Sequence, residues 1–238
     1  VDNGAGCLDS TTVTVTVLTL PTILAGPDTA ICENECVNLL ATGGLTYVWD
    51  PVTGLSDPNI ANPQACPTTT TQYIVTGTDA NTCSNTDTVD VVINALPPVE
   101  AGADETICDT DSVQLNATGA VTYVWTPITD LSDPNIADPF ASPSTTTMYY
   151  VTGTDGNGCV NIDSMTVNVN SLPTVTVSND TTVCLGDSAQ LNASGGTIYS
   201  WTPTTGLSDP NIADPMASPA GNTTYTVHVI DAAGCEDS

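Results

Sequence analysis

Nine cysteines are the residues best placed to do chemistry in this chain. Cys32, Cys108 and Cys184 stand 76 residues apart, and so do Cys7, Cys83, Cys159 and Cys235. With no CxxC pair and a single histidine, His228, zinc ligation is poorly served. Oxidative cross-linking is the chemistry that such a spacing suits, and it points to an oxidising compartment. Within each unit one cysteine of each series falls 51 positions from the other. This predicts three intra-unit disulfides, Cys32–Cys83, Cys108–Cys159 and Cys184–Cys235, each contributing about 2–4 kcal/mol. Cys36 and Cys66 belong to neither series. Their counterparts are Ser112 and Ser142, then Ser188 and Ser218. Two positions that change type together are expected to touch, which predicts a fourth disulfide, Cys36–Cys66. Cys7 is left over, its partner expected in another chain or in sequence beyond this one.

Carboxylates and amides form the second set. Asp57, Asn59, Asp133, Asn135, Asp209 and Asn211 recur in a Ser-Asp-Pro-Asn segment, and Asp155 and Asn157 in an Asp-Gly-Asn-Gly segment. Such oxygens are what calcium takes. The alternative is turn chemistry, because Asp and Asn before Pro or Gly close Asx turns without a metal. No complete twelve-residue calcium loop is present. No cofactor is required by anything else in the chain. His228, assigned on the repeat to the strand position of Gly77 and Gly153, reads as a solvated strand residue. With no lysine and one histidine, nucleophile–base catalysis has no apparatus, and no insertion builds a cleft. The chain reads as a non-enzyme.

Charge excludes further classes. There are 27 acidic residues and no lysine or arginine. Phosphate backbones and anionic lipid headgroups are bound by Lys and Arg, so neither nucleic acid nor a charged membrane surface is a partner. No apolar run is long enough to span a bilayer.

The elements that must position these residues are themselves repeated. Tyr47-Val-Trp49, Tyr123-Val-Trp125 and Tyr199-Ser-Trp201 are each followed by Leu-Ser-Asp-Pro-Asn-Ile-Ala, at 55–61, 131–137 and 207–213. The 76-residue period gives repeats at 21–96, 97–172 and 173–238. Residues 1–20 correspond to the end of a preceding repeat, while the third repeat stops ten residues short of its period. Apolar residues alternate with polar ones throughout, and no helical period appears. In the second repeat the pattern predicts an opening strand at 99–103, a second carrying Val113, Leu115 and Ala117, and a third carrying Tyr123 and Trp125. A Pro-rich connection follows, with Leu131 and Ile136 plugging one end of the core. Then come a strand with Tyr149 and Val151, a hairpin turn at 155–158, and a closing strand with Met165, Val167 and Val169 inward. The fold class is all-β: tandem immunoglobulin-like β-sandwiches of about seven strands. The aromatics belong to the core and not to a sugar-stacking platform.

The run from Trp201 to Pro219, followed by Tyr225-Thr-Val and Asp231-Ala-Ala-Gly-Cys235, resembles the Ig-like and PKD-like repeats of giant surface and secreted proteins of Bacteroidota. Those proteins often end in a sorting domain for gliding-associated (type IX) secretion. The resemblance implies an extracellular, cell-surface setting and modular stalks or adhesins. It also implies O-glycosylation at Asp-Ser/Thr triplets, which would fall on Thr29, Thr88, Ser112, Ser164 and Ser188. The expected role is a structural fibre or stalk. Its sharper form has residues 11–20 of one copy completing the third sandwich of the next, head to tail. An adhesin with glycan-binding or protein-binding repeats is the alternative.

Overall fold

The computed structural model describes residues 10–238, and Cys7 lies outside the described residues. The chain divides into two compact units. One runs to Leu96 and takes in Asn157–Cys159; the other comprises Pro97–Gly156 and Val160–Ser238. No helix occurs among the described residues.

The first repeat contains β1 (Thr29–Cys32), β2 (Val37–Asn38), β3 (Thr46–Asp50), β4 (Gln64–Ala65), β5 (Thr71–Thr78) and β6 (Ser84–Asn94). The second repeats the series as β7 (Glu105–Cys108), β8 (Val113–Gln114), β9 (Thr122–Thr126), β10 (Phe140–Ala141), β11 (Thr147–Thr154) and β12 (Val160–Asn170). In each, four strands form one sheet, ordered β1-β6-β5-β3 and β7-β12-β11-β9. The other sheet is the short pair β2–β4 or β8–β10. The antiparallel trio β3-β5-β6 matches the strand order of one immunoglobulin sheet, with the first strand added in parallel along its edge.

Period-two alternation decides which faces meet. Val89 and Val91 on β6, Tyr73 and Val75 on β5, and Trp49 on β3 are essentially fully buried, together with Leu39, Ala41 and Ala65 from the other side. Met165, Val167, Tyr149, Val151 and Trp125 repeat this in the second sandwich. The Pro-rich connection works differently from the expected plug. Leu131 does pack on the core margin, but the Ile136 side chain is substantially exposed. What Ile136 contributes is its carbonyl, which accepts the Trp125 indole N–H at 3.1 Å. Ile60 and Ile212 serve Trp49 and Trp201 in the same way. Pro58, Pro134 and Pro210 carbonyls accept the three Trp backbone N–H groups, each at 2.8 Å. The connection thus supplies acceptors that a neighbouring strand would otherwise offer, which explains why Leu-Ser-Asp-Pro-Asn-Ile-Ala recurs so closely.

The opening strand at 99–103 is not formed. Only a single bridge, Glu100–Thr118, occurs there, and Gly102 turns the chain at φ +92°. The Ala101 N–H goes to the Asp163 carboxylate at 2.8 Å, as Ala25 goes to Asp87. The strand that the sequence pattern missed is β7, which runs parallel to the far end of β12 and pairs Cys108 with Asn170.

The third repeat keeps β16 (Ile198–Thr202), β17 (Met216–Ala217) and β18 (Thr226–Ile230) as counterparts of the preceding repeats. β14 (Ala189–Gln190) is the counterpart of β2 and β8, and the two-residue β19 (Glu236–Asp237) that of the start of β6 and β12, while β13 (Thr176–Val177) and β15 (Ala193–Ser194) pair with each other. Its sheet is reduced to β16-β18-β19. The register Tyr199–Val229 corrects one assignment: Val229 and not His228 occupies the position of Gly77 and Gly153. His228 corresponds to Thr76 and Thr152, and is exposed.

Tyr73 and Tyr225 donate their hydroxyls to the carbonyls of Thr53 and Thr205, both at 2.9 Å. The Tyr149 hydroxyl is buried with no partner. Beside it the turn carries Asp130 at φ 62°, where the sister repeats have Gly54 and Gly206. Tyr149→Phe is therefore expected to stabilise the second sandwich by about 1 kcal/mol, and Tyr73→Phe to destabilise the first by about 1 kcal/mol. Opposite shifts of the denaturant midpoint check this, and shifts of the same sign contradict it. Burial raises the phenol pKa of Tyr73 above its ordinary 10.0. Burial, then the Asp130 charge, does the same for Tyr149. The folded state holds these protons more tightly than the unfolded chain. The stability they contribute is complete below about pH 10 and is lost as pH rises through the folded values. Tyrosinate absorbance should show two of the seven tyrosines ionising late, at the onset of alkaline unfolding.

Candidate functional site

The disulfides differ from the intra-unit pairing. Cys32 is joined to Cys159 and Cys108 to Cys235, both at a sequence separation of 127 and a Cα–Cα distance of 5.5 Å. Cys32–Cys83, Cys108–Cys159 and Cys184–Cys235 are not formed. Cys83 and Cys184 are free thiols. The cause is the length of one strand. Cys108 ends β7 opposite Asn170, at the far end of β12, whereas Cys159 immediately precedes its first residue, Val160. Eleven residues of extended chain separate the two ends by about 35 Å. A disulfide tolerates only about 4.4–6.8 Å between Cα atoms. Cys32, paired opposite Asn94, and Cys83, preceding Ser84, are kept apart by β6 in the same way. Each complete repeat thus carries one thiol at either end. Separately, Cys36 is joined to Cys66 across the β2–β4 sheet. In the third repeat the equivalent Ser218 hydroxyl donates to Ser188 at 3.0 Å.

The carboxylates turn inward on their own backbone. Asp57, Asp133 and Asp209 accept the N–H groups of Asn59, Asn135 and Asn211 at 2.8–2.9 Å, as Asx turns. In the hairpins, Asp79 Oδ1 accepts the N–H of Asn81 and Cys83, and Asp231 Oδ1 that of Ala233 and Cys235. Asp155 and Asn157 hold the corresponding positions in the second repeat. Among the described residues no three or more Asp, Glu, His or Cys side chains gather as a metal cluster. Of the candidate glycosylation residues, Thr88, Ser112, Ser164 and Ser188 are exposed, while Thr29 is half-buried in β1.

An open groove marks the third repeat. Thr181–Cys184, the counterpart of β1 and β7, has no long strand to pair with and forms none. Between it and the core lies a groove of about 720 Å³, lined by residues including Asp180, Val183, Leu191, Trp201 and Tyr225. The core cluster of this sandwich holds Trp201, Val227 and Val229, with Ala217 and Cys235 buried apart from it, against ten or more residues in the cluster of each of the others. β19 holds the place of the first two residues of β6 and pairs with β18 as β6 pairs with β5, and the positions matching β6 from Asp87 onward lie beyond Ser238. Residues 10–20 carry that sequence pattern: Val13, Val15 and Val17 align with Val89, Val91 and Ile93. They form no strand, and the three valines are 89%, 81% and 89% exposed. The segment 11–20 also bears no charge, in a chain of formal charge −27.

These elements define an all-β chain of tandem immunoglobulin-like sandwiches. No protein-family model matches the chain, and no curated protein matches it in sequence. Among solved structures it is similar to the two immunoglobulin domains of DIP-gamma, at 9% identity over 63% of this chain and 98% of that one, with a TM-score of 0.33. It is also similar to the eight N-terminal immunoglobulin domains of Down Syndrome Cell Adhesion Molecule, at 12% identity over 87% of this chain and 34% of that one, TM-score 0.35. A third is Sidekick-1 immunoglobulin domains 1–5, at 13% identity, 91% and 57% coverage, and a TM-score of 0.34.

With 27 carboxylates and no lysine or arginine, added salt screens repulsion and weakens no Lys or Arg ion pair. The thermal midpoint is expected to rise from low ionic strength to about 0.15 M sodium chloride, where screening acts within about 8 Å. A falling midpoint contradicts this. A rise with calcium larger than with magnesium at matched ionic strength would mark the Asp–Asn turns as calcium ligands.

Proposed function

We propose that this protein is a structural element of an extracellular surface, built of disulfide-linked immunoglobulin-like repeats and extended head to tail into a fibre. Copies join by strand donation: residues 11–18 of one copy enter the groove of another's third repeat. Three disulfides support an oxidising setting outside the cytoplasm. The observation that carries the assembly is the presence, in one chain, of an open groove beside the third sandwich and of an exposed segment with the sequence pattern of β6.

The register follows from the complete repeats. Thr29–Cys32 pairs in parallel with Val91–Asn94, and Glu105–Cys108 with Val167–Asn170. Shifted by the repeat, Thr181–Cys184 pairs with Val15–Leu18 of the second copy. Asp28 and Asp104 accept the N–H of Asp90 and Thr166 at 2.9 and 2.8 Å. Asp180 is their counterpart and is placed to accept the Thr14 N–H. Burying Val13 and Val15 contributes about 1.5–3 kcal/mol for each side chain fully removed from water. An uncharged strand adds no repulsion between two strongly acidic copies. Such a contact uses different surfaces on the two partners, so each copy that receives a strand still has its own strand to donate.

Val15→Asp tests this without disturbing the chain's own fold, because Val15 is exposed. Sedimentation of the full chain should show polymers growing with concentration, and Val15→Asp should remain monomeric. A wild-type chain that stays monomeric overturns the proposal, as does a variant that polymerises equally well. Native material in which one much longer chain fills the groove with its own next residues would replace the second copy.

A further inference from the structure

We infer that the two free thiols, Cys184 and Cys83, are the two halves of one intermolecular disulfide that locks successive copies together. The inference rests on the head-to-tail reading above and adds to it a covalent bond between named residues.

Both inter-repeat disulfides follow one rule: a cysteine at the end of the short parallel strand joins the hairpin cysteine 127 residues further on. Applied to Cys184, the rule calls for a hairpin cysteine in a following repeat. Applied to Cys83, it calls for a strand-end cysteine in a preceding one. A second copy displaced by three repeats, 228 residues in register, satisfies both at once, because its Cys83 falls 127 positions beyond Cys184.

Each thiol shares its local hydrogen bonds with the bonded cases. The Cys184 carbonyl accepts the Asp187 N–H at 3.0 Å, as Cys108 does from Asp111 and Cys32 from Glu35. The Cys83 N–H donates to Asp79 Oδ1 at 2.9 Å and its carbonyl accepts the Asp79 N–H at 2.9 Å. Cys235, which is bonded, makes the same two contacts with Asp231 at 2.9 Å each. Cys184 is exposed and Cys83 half-buried, so both thiols remain open to a partner.

The donated strand brings them together. In the chain, β6 leads through Leu96-Pro97 into the second repeat, and β12 through Leu172-Pro173 into the third. Residues 11–18 lead through Leu20-Pro21 into the first. A strand seated in the groove as β12 sits in its own sheet therefore delivers the first repeat, with its Cys83 hairpin, as β12 delivers the repeat bearing Cys235. Bond formation removes one proton and one electron from each thiol. A small disulfide such as oxidised glutathione takes both electrons and leaves as two thiols, by exchange through a mixed disulfide.

The full chain carrying Cys7→Ser, folded in a glutathione redox buffer, tests this. On a denaturing gel without reductant it should run as a ladder of multimers. Peptide mapping should find Cys184 joined to Cys83. Cys83→Ser or Cys184→Ser, each altering a thiol with no partner in the single chain, should collapse the ladder to monomer while sedimentation without denaturant still shows polymer. Mixing those two variants should give covalent dimers and nothing larger. Polymers that never cross-link overturn the disulfide alone, and so do bonds joining like cysteines. A chain that neither cross-links nor polymerises overturns the head-to-tail reading as well.

Discussion

The length of one β-strand governs this molecule. β6 and β12 each run eleven residues, and the two cysteines of a repeat lie at opposite ends of them. At about 3.3 Å per residue those thiols lie far beyond bonding distance. They reach only their neighbours, so every disulfide of this series spans from one repeat to the next. On the chain-entropy account, closing a loop of 127 residues contributes about 5 kcal/mol. A repeat near the lower size limit for an independent core gains its covalent restraint from the repeats beside it. Cys36–Cys66 acts differently, closing 30 residues within one sandwich.

The same strand fills the core. Val89 and Val91, or Met165 and Val167, complete the layer beneath Trp49 or Trp125. In the third repeat, where the strand comprises only β19, the core cluster holds three buried residues and the parallel partner strand does not form. Pairing and burial are lost together because one element supplies both. Strand donation and the inter-copy disulfide are two consequences of that single element, one non-covalent and one covalent.

Much of the fold was legible because period two and period 76 are both strong signals. Trp125, Tyr149, Val151, Met165 and Val167 stand inward as the alternation indicates. The partners of the cysteines were not legible for a reason of arithmetic. A spacing of 51 and one of 127 differ by a single repeat, so periodicity alone cannot choose between a bond within a unit and one between units. Strand geometry chooses, and the deciding element was the one that the pattern missed. Glu105–Cys108 is a four-residue edge strand with no alternation long enough to register, and placing the opening strand at 99–103 put Cys108 at the wrong end of the sandwich. Among the carboxylates, Asp57, Asp133 and Asp209 take part in the turns that hold the Trp-capping loop, a role that composition alone could not separate from cation binding.

Mapping the disulfides of the oxidised chain by proteolysis and mass spectrometry tests the central constraint most directly. Peptides joining Cys32 to Cys159 and Cys108 to Cys235 are expected, with none joining Cys32 to Cys83. Recovery of Cys32–Cys83 and Cys108–Cys159 would mean that the two cysteines of a repeat share one end of the sandwich. That result would contradict the strand arrangement on which both the fold and the assembly depend.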